Sequence, residues 1–299
     1  MTELRNGAQS NPVDKVIHIA DIHFWRVVIN PLRLLNKRFL GNLNVWLRRR
    51  HEFAMERAEL FADTVAAAGI RHVLLTGDFT STSIDEEFEM ARDFVRGLRR
   101  RGMEPFVIPG NHDLYTFEAA RRKRFHQFFD EFLPEGGYPS RAVLPGGTSL
   151  ILTPTVCPNL LSAKGRISDS EIAATRRLLA DGPPAAIVAG HYPVLHATHG
   201  YHTAPSRRLR NADRLRAALG ESGRRVLYVC GHVHRFSYTV DDQYADVRHL
   251  STGAFFLEHA KLGQQGEFSE IHVCDDGWRV FRHRHTGAWV REEVQPANP

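Results

Sequence analysis

The sequence predicts an α/β or α+β fold in which helices cover the faces of a sheet. Short apolar, β-branched segments alternate with longer segments of helical periodicity through the first three quarters of the chain. From about residue 236 the pattern changes to short strands separated by turn residues. The 299 residues are 42% hydrophobic and 24% charged, which is typical of a globular protein with a sizeable core. This balance excludes collagen-like, disulfide-scaffold and wholly disordered chains.

Each element follows from its own pattern. Six buried strands are predicted from apolar segments at 16–20, 72–76, 105–109, 150–156, 185–189 and 225–230. Three helices, each ended by a glycine, are predicted at 52–68, 84–101 and 168–181. Antiparallel strands are predicted at 236–240, 246–250, 267–274 and 278–284.

The predicted elements form one domain. No Gly/Ser-rich or Pro-rich linker divides the chain, so we expect a single domain over 1–299. Its core is expected from about 15 to 285, with a helical insert at 24–51 and a loose tail at 286–299.

Polar residues follow five of the predicted strands directly. Ligands in open α/β sheets bind outside the carboxyl ends of the strands. Each short fragment is common by itself, but chance turns would not all bring carboxylate, amide or imidazole to one edge. The residues at this edge are Asp21, His23, Asp78, Asn111, His112, His191, His232 and His234.

These residue types favour a metal site. Imidazole, carboxylate and amide oxygen without thiolate suit Mn, Fe, Co or Zn. Seven ligands are too many for one ion that keeps an open position, so two ions are expected. A two-metal site needs a bridging group, and Asp78, central in chain order, is the natural candidate. The seven candidate ligands are Asp21, His23, Asp78, Asn111, His191, His232 and His234.

The blocks D-x-H, G-D, G-N-H-D, G-H and G-H-x-H, in this order between residues 21 and 234, resemble the calcineurin-like metallophosphoesterase superfamily. The resemblance implies a four-layer αββα sandwich and hydrolysis of phosphate esters by a metal-bound hydroxide, with two divalent ions, manganese first and Fe, Zn or Co as alternatives. It implies that His112 protonates the leaving group, with Asp113 as an orienting partner. It also implies a ligand assignment, with Asp21, His23 and His234 on one metal, Asn111, His191 and His232 on the other, and Asp78 bridging.

The second block departs from one branch of this superfamily. Protein phosphatases extend it to G-D-x-x-D-R-G, whereas residues 77–83 read G-D-F-T-S-T-S. Protein phosphatase activity is therefore disfavoured. The chain is more similar to the bacterial small-molecule branch, which includes cyclic-nucleotide phosphodiesterases, glycerophosphodiesterases and UDP-2,3-diacylglucosamine pyrophosphatases.

The segment 24–51 directly after His23 contains seven basic residues and no acidic one. Its apolar residues recur at spacings of three and four, which predicts a basic amphipathic helix. Such a helix can lie on an anionic membrane surface or pack on the domain as a cap, and both interpretations stay open. Since the segment starts at the rim of the site, we favour a lipid-linked phosphodiester or pyrophosphate as substrate.

A second rim segment, residues 192–210, follows His191. Its basic side chains either contact phosphate oxygens or belong to a solvated loop. They are His196, His199, His202, Arg207, Arg208 and Arg210.

Other functions make distinct predictions. A soluble 3′,5′-cyclic-nucleotide phosphodiesterase or a general phosphatase would carry the same blocks. A nuclease is disfavoured because the basic residues are not spread along groove-like segments with interleaved aromatics. A non-catalytic binding scaffold would lack ligand residues, whereas here all are present.

The location is expected to be cytoplasmic. The N-terminus lacks the apolar stretch of a secretory signal, and no segment approaches the roughly 20 apolar residues of a spanning helix. The three cysteines form no disulfide framework, which suggests a reducing compartment. If the basic insert binds the membrane rather than packing as a cap, the chain would be peripheral on its inner face.

Overall fold

The computed structural model describes residues 11–26, 57–159, 162–201, 205–257 and 266–298. Beyond Arg26, the insert predicted at 24–51 lies outside the described residues, so both interpretations of it stay predictions. Among the helices of the described ranges, none is long and apolar enough to cross a membrane.

The described ranges contain fourteen strands and six α-helices. The strands are β1 Asp14–Ile19, β2 His72–Leu75, β3 Glu104–Val107, β4 Ser140–Val143, β5 Ser149–Leu152, β6 Gly165–Arg166, β7 Ala185–Ala189, β8 Leu209–Arg210, β9 Arg225–Cys230, β10 Ser237–Val240, β11 Val247–Ser251, β12 Glu267–Cys274, β13 Gly277–His285 and β14 Trp289–Val294. The helices are α1 Arg57–Ala67, α2 Asp85–Arg100, α3 Phe117–Arg121, α4 Arg124–Phe128, α5 Asp169–Ala180 and α6 Ala212–Gly220.

The strands form two six-stranded mixed sheets and a small two-stranded one. The first sheet has the order β14-β13-β12-β1-β2-β3, with β1, β2 and β3 parallel. The second has the order β10-β11-β9-β7-β5-β4, with β11, β9, β7 and β5 parallel. Strands β6 and β8 pair separately. Each large sheet therefore has a parallel region whose strands end at one edge.

Successive residues of a strand face opposite sides of its sheet, and the clusters that they join show four layers. Val16 of β1 and Ile187 of β7 share one apolar cluster, which lies between the two sheets. Ile17 of β1 belongs to a second cluster with residues of α1, α2 and α4, and Val188 of β7 to a third with residues of α5 and α6. The layers are thus helix, sheet, sheet and helix, which confirms the expected αββα sandwich.

The six buried strands and the helices at 84–101 and 168–181 were predicted within a few residues of their observed bounds. The antiparallel strands predicted after about residue 236 are present, since β10 pairs antiparallel with β11 and β12 with β13, but one pairing in this region is parallel. Strand β11 pairs parallel with β9, because the chain leaving β9 passes to the edge position of β10 and then returns between β10 and β9.

Part of the segment 286–299, expected to be a tail outside the core, forms a strand. Residues 289–294 form β14, antiparallel to β13. Trp289 stacks on Phe255 with ring centroids 5.8 Å apart, so this strand covers part of the apolar core. Further on, Ala297 donates a backbone hydrogen bond to Tyr238 and accepts one from Val240.

Candidate metal centre

The predicted site residues meet at the carboxyl edge of both parallel regions. The loops after β1 and β2 are joined by backbone hydrogen bonds, since His23 donates to the carbonyl of Asp78 at 2.8 Å. In the second sheet, Gly231 donates to the carbonyl of His191 at 3.1 Å. The two sheets therefore bring their strand-end loops to a common cleft.

A first group of four side chains converges from three loops. One ligand atom each from Asp21, His23, Asp78 and His234 lies within 4.8 Å of the others. Nε2 of His23 lies 3.1 Å from Nε2 of His234, which lies 3.5 Å from Oδ1 of Asp21. Two ligands at ~2.0–2.1 Å from one tetrahedral ion would be roughly 3.3 Å apart, so this spacing fits a shared ion.

A second group surrounds the amide oxygen of Asn111. This oxygen lies 3.1 Å from Nε2 of His191 and 2.9 Å from Nδ1 of His232. Asp78 lies between the two groups, with Oδ2 3.6 Å from Nε2 of His23 and Oδ1 3.5 Å from Nε2 of His191. All seven predicted ligands are thus brought together.

Backbone carbonyls fix the orientation of three of the imidazoles. The carbonyl oxygens of Thr80 and Thr76 accept from Nδ1 of His23 and His191, at 3.2 and 2.8 Å. In His232 the two ring nitrogens exchange roles, and Nε2 donates to the carbonyl oxygen of Arg207 at 2.9 Å. In each ring the other nitrogen therefore presents its lone pair to the cleft, as a metal ligand requires.

The charges of the site also fit cations. Burial raises the pKa of Asp78 well above its usual value, and the neighbouring Asp21 and Asp113 carboxylates add to the shift. Burial also lowers the pKa of His191 and of His232, which favours the neutral rings. No lysine or arginine of the described residues bonds to Asp21 or Asp78. Two buried carboxylates without a lysine or arginine partner are costly unless other charges, such as metal ions, compensate them.

Five of the seven ligand residues have left-handed backbone. Their φ angles lie between 53° and 71°, a region in which a non-glycine residue costs about 1–3 kcal/mol. They are Asp21, His23, Asp78, His232 and His234. At the same edge, a Cβ on Gly110 would lie 2.1 Å from the backbone nitrogen of Asp78, so the close approach of these two loops requires glycine. Strained backbone of this kind concentrates at functional sites.

Two buried carboxylates hold the loop after β2. The carboxylate of Asp113 accepts from the backbone N–H groups of Phe79, Thr80 and Gly110, at 3.3, 2.9 and 2.8 Å. Glu87 of α2 accepts from the backbone of Ser81 and Thr82 at 3.1 and 2.7 Å.

These contacts place the loop carbonyls that bind the imidazoles. Because the N–H groups of the loop are held by carboxylates, the carbonyls of Thr80 and Ser81 are positioned toward His23 and His112. Glu87 has no motif signal in the sequence and was missed.

Hydroxyl groups hold the loop after β7. Thr155 Oγ1 accepts from the backbone N–H groups of His191 and Tyr192, both at 3.0 Å. The Tyr228 hydroxyl donates to the Tyr192 carbonyl at 2.7 Å, and the Tyr192 hydroxyl donates to Ala163 at 2.6 Å. The Tyr192 ring packs on His232 with centroids 4.0 Å apart, so this relay supports two candidate ligands.

His112 lies beside the metal groups rather than within them. Its Nδ1 donates to the Ser81 carbonyl at 2.7 Å, and its ring stacks on Tyr115. Its backbone N–H donates to Oδ1 of Asp78 at 2.7 Å. The interpretation of Asp113 as the partner that orients this ring needs correction, because the Asp113 carboxylate is occupied by the loop backbone and the Ser81 carbonyl holds Nδ1.

A cavity of about 370 Å³ opens onto this centre. It is lined by Asp78, Asn111, His112, His232 and His234, together with Ala163, Gly200, Arg207, Val233 and Arg235. Arg207 was predicted at the rim, whereas Arg235 was missed, although it directly follows the G-H-x-H block.

The other rim predictions are not supported as lining residues. The described residues that line this cavity do not include His196, His199, Arg208 or Arg210. His202 lies outside the described residues.

Comparisons with known proteins identify the family and the fold of the chain. A model of the family described as calcineurin-like phosphoesterase matches residues 14–236. The comparison with curated proteins found no match.

Three solved structures are similar in fold. A dimetal phosphatase from Danio rerio is 13% identical, with a TM-score of 0.63, and the match covers 94% of this chain and 99% of that one. A purple acid phosphatase from yellow lupin is 13% identical, with a TM-score of 0.62, over 97% and 54% of the two chains. A 5′-nucleotidase from Candida albicans is 14% identical, with a TM-score of 0.52, over 95% and 54%. At these identities the likeness concerns the fold alone.

Proposed function

Because this chain belongs to the calcineurin-like phosphoesterase family and is a metal-dependent phosphoester hydrolase, we propose that the residues at its cleft form a dinuclear hydrolytic centre. The donor set of imidazole, carboxylate and amide oxygen favours manganese, with Fe, Zn or Co as alternatives. The proposed ligands are Asp21, His23 and His234 for one ion, Asn111, His191 and His232 for the other, and Asp78 for both.

The observation that carries this proposal is the position of Asp78. Its two carboxylate oxygens face different groups, one toward His23 at 3.6 Å and the other toward His191 at 3.5 Å. A carboxylate in this position can bind two ions at once. When bound, such ions lower the pKa of a water to supply a nucleophile and stabilise the charge that develops on the phosphoryl oxygens.

The residues of the chain supply the proton transfer. With Nδ1 bonded to the Ser81 carbonyl, Nε2 of His112 is the nitrogen that gives a proton to the leaving-group oxygen. Stacking on Tyr115, at 5.2 Å between centroids, limits rotation of the ring. Asp113 acts indirectly, by fixing the loop backbone that carries these acceptors.

The proposed substrate is a small-molecule phosphodiester or pyrophosphate. The cavity is small and polar, and residues 77–83 lack the D-R-G extension of protein phosphatases. A lipid-linked substrate at the inner membrane face, as for UDP-2,3-diacylglucosamine pyrophosphatases, is proposed from the basic, apolar sequence of 24–51. Nucleic acid is not proposed as a substrate.

Metal analysis combined with hydrolysis of bis(p-nitrophenyl) phosphate tests the centre. The manganese-loaded protein is expected to hold two ions per chain and to hydrolyse this diester. The His112→Ala variant should keep both ions while kcat falls by about 10²–10⁴-fold. His196→Ala, at an exposed histidine outside the cavity, is the control and should leave both quantities unchanged. One ion or fewer in the wild type, or full turnover by the His112 variant, would contradict the assignment, and a metal-free, inactive wild type would favour a binding scaffold.

A further inference from the structure

Two arginines line the cavity beside the candidate ligands. Arg235 directly follows His234, and the carbonyl oxygen of Arg207 accepts from Nε2 of His232 at 2.9 Å. Each arginine is therefore tied to a ligand of a different metal group. Both arginines line the cleft in which the scissile phosphate would bind.

Among the described residues, the side chains of Arg207 and Arg235 have no carboxylate partner. Other arginines of the chain do bind buried carboxylates. Arg216, for example, binds Asp241 with two of its nitrogens, and Arg291 does the same with Glu270. An unpaired arginine at the wall of a ligand cavity is suited to bind an anion, because its planar donors match phosphate oxygens.

The backbone around Arg235 leaves room for its side chain. Gly200 has a φ of 81°, and a Cβ built there would lie 3.0 Å from Cδ of Arg235. The aliphatic part of the arginine therefore lies across this glycine. A larger residue at position 200 would displace it, so the arginine is placed by its surroundings rather than free in solvent.

The charge balance of the site indicates which ligand suits these arginines. With two divalent ions bound, the carboxylates of Asp21 and Asp78, the hydroxide nucleophile and one diester anion already neutralise the metal charge. A substrate with a single phosphate would leave both guanidinium charges unmatched. A second phosphate on the substrate would match one of them, and the further negative charge that develops on the leaving phosphate would match the other.

From this arrangement, and resting on the function proposed above, we propose that Arg207 and Arg235 bind a second phosphate next to the scissile phosphorus, so that the substrate is a pyrophosphate diester. Hydrolysis breaks the bond between one phosphorus and the bridging oxygen. The water oxygen bonds to that phosphorus, the electron pair of the broken bond goes to the bridging oxygen, and the protons of the water remain with the two phosphomonoester products or pass to solvent. The guanidinium groups neutralise the charge that develops on the leaving phosphate.

Kinetics with two substrates test the proposal. ADP-ribose supplies a soluble pyrophosphate diester, and bis(p-nitrophenyl) phosphate supplies a single diester. We expect Arg207→Ala and Arg235→Ala each to lower kcat/KM for ADP-ribose by about 10- to 100-fold, since hydrogen bonds to charged groups contribute about 1.5–3 kcal/mol. The same variants should change kcat/KM for the single diester less than threefold. Arg210→Ala, at an exposed arginine of the same segment outside the cavity, is the matched control.

A binding measurement separates this proposal from the proposed function. Calorimetry of ADP-ribose with the manganese-loaded His112→Ala variant should give a Kd at least tenfold lower than with the same variant carrying Arg207→Ala and Arg235→Ala. Equal losses on both substrates, or an unchanged Kd, would overturn the second-phosphate site even if hydrolysis occurs. Arginine-dependent binding without hydrolysis by the wild type would instead refute the proposed function and leave the phosphate site in place.

Discussion

The two halves of the candidate centre are held in place by different chemistry. On the first sheet, the loop after β2 is fixed by the carboxylates of Asp113 and Glu87, which together accept from four consecutive backbone N–H groups. On the second sheet, the loop after β7 is fixed by the neutral hydroxyls of Thr155, Tyr192 and Tyr228.

The two kinds of support suit the backbone groups that each loop uses to hold the candidate ligands. A carboxylate accepts several N–H groups at once, so it can fix a loop whose carbonyls are needed for imidazoles. A hydroxyl both donates and accepts, so it can join backbone to backbone in a relay across strands. The first half, which contains His112 and the proposed bridging residue Asp78, is therefore expected to depend more strongly on single residues than the second.

The largest effect is expected for Asp113→Asn. The amide nitrogen would face N–H donors that the carboxylate now accepts, and leaving buried donors unpaired should lower the free energy of unfolding by about 3–4 kcal/mol. Denaturant unfolding and kcat should both be affected. Asp63→Asn, at an exposed carboxylate of α1, is the control. Loss of kcat with unchanged stability would show that Asp113 acts on the His112 ring instead.

A smaller effect is expected for Thr155→Val, which keeps the shape of the side chain but removes the acceptor. Two buried N–H groups, of His191 and Tyr192, would lose their partner, at a cost of about 2 kcal/mol. Manganese titration should show weaker binding of one ion and little change in the other. A loss of stability equal to that of the Asp113 variant would remove the contrast between the two halves.

The smallest effect is expected far from the centre, at Glu270. Burial acts to raise the pKa of Glu270, but hydrogen bonds from His272, His283 and Arg291 outweigh it and hold the pKa well below its usual range. Glu270→Gln should therefore lower the free energy of unfolding by about 1 kcal/mol at neutral pH without changing kcat.

The pH dependence of this effect follows from the sign of the shift. Because the pKa is depressed in the folded state, the stabilisation is present above the ordinary value of 4.5 and is lost as the pH falls toward the folded pKa. The difference between wild type and Glu270→Gln should thus shrink in acid. A free-energy difference that grows in acid would contradict the depressed pKa of Glu270. A fall in kcat on Glu270→Gln would show that this carboxylate, like Asp113, supports the site.

The sequence predicts which side chains form the candidate site better than it predicts the groups that hold those side chains in place. The ligand side chains follow apolar strands, and parallel strands end at a common edge, so their convergence can be predicted from the chain alone. The acceptors that orient them are carbonyls of Thr76, Thr80 and Arg207, which every residue possesses. The residue type therefore does not reveal which backbone carbonyl will orient an imidazole.

The fold, like the site, could be predicted from the sequence only in part. Strands buried on both faces, such as β7 and β9, have near-continuous apolar sequences and were predicted closely. Strand β14 reads W-V-R-E-E-V, in which only the first and last residues are half-buried and the four between them are exposed, so it lacks an apolar alternation and its pairing was missed. The parallel pairing of β11 depends on where the chain crosses, which a local pattern does not contain.

The left-handed backbone of the ligand residues has an evolutionary consequence. At five positions glycine would relieve a conformational cost of about 1–3 kcal/mol, so loss of the metal side chains is favoured by folding stability alone. A lineage released from selection for hydrolysis would drift toward glycine at these sites and toward a more stable, inert sandwich. Aspartate or histidine at all five positions is therefore not explained by the backbone conformation, which would favour glycine, and is expected if these side chains serve the chemistry of the site.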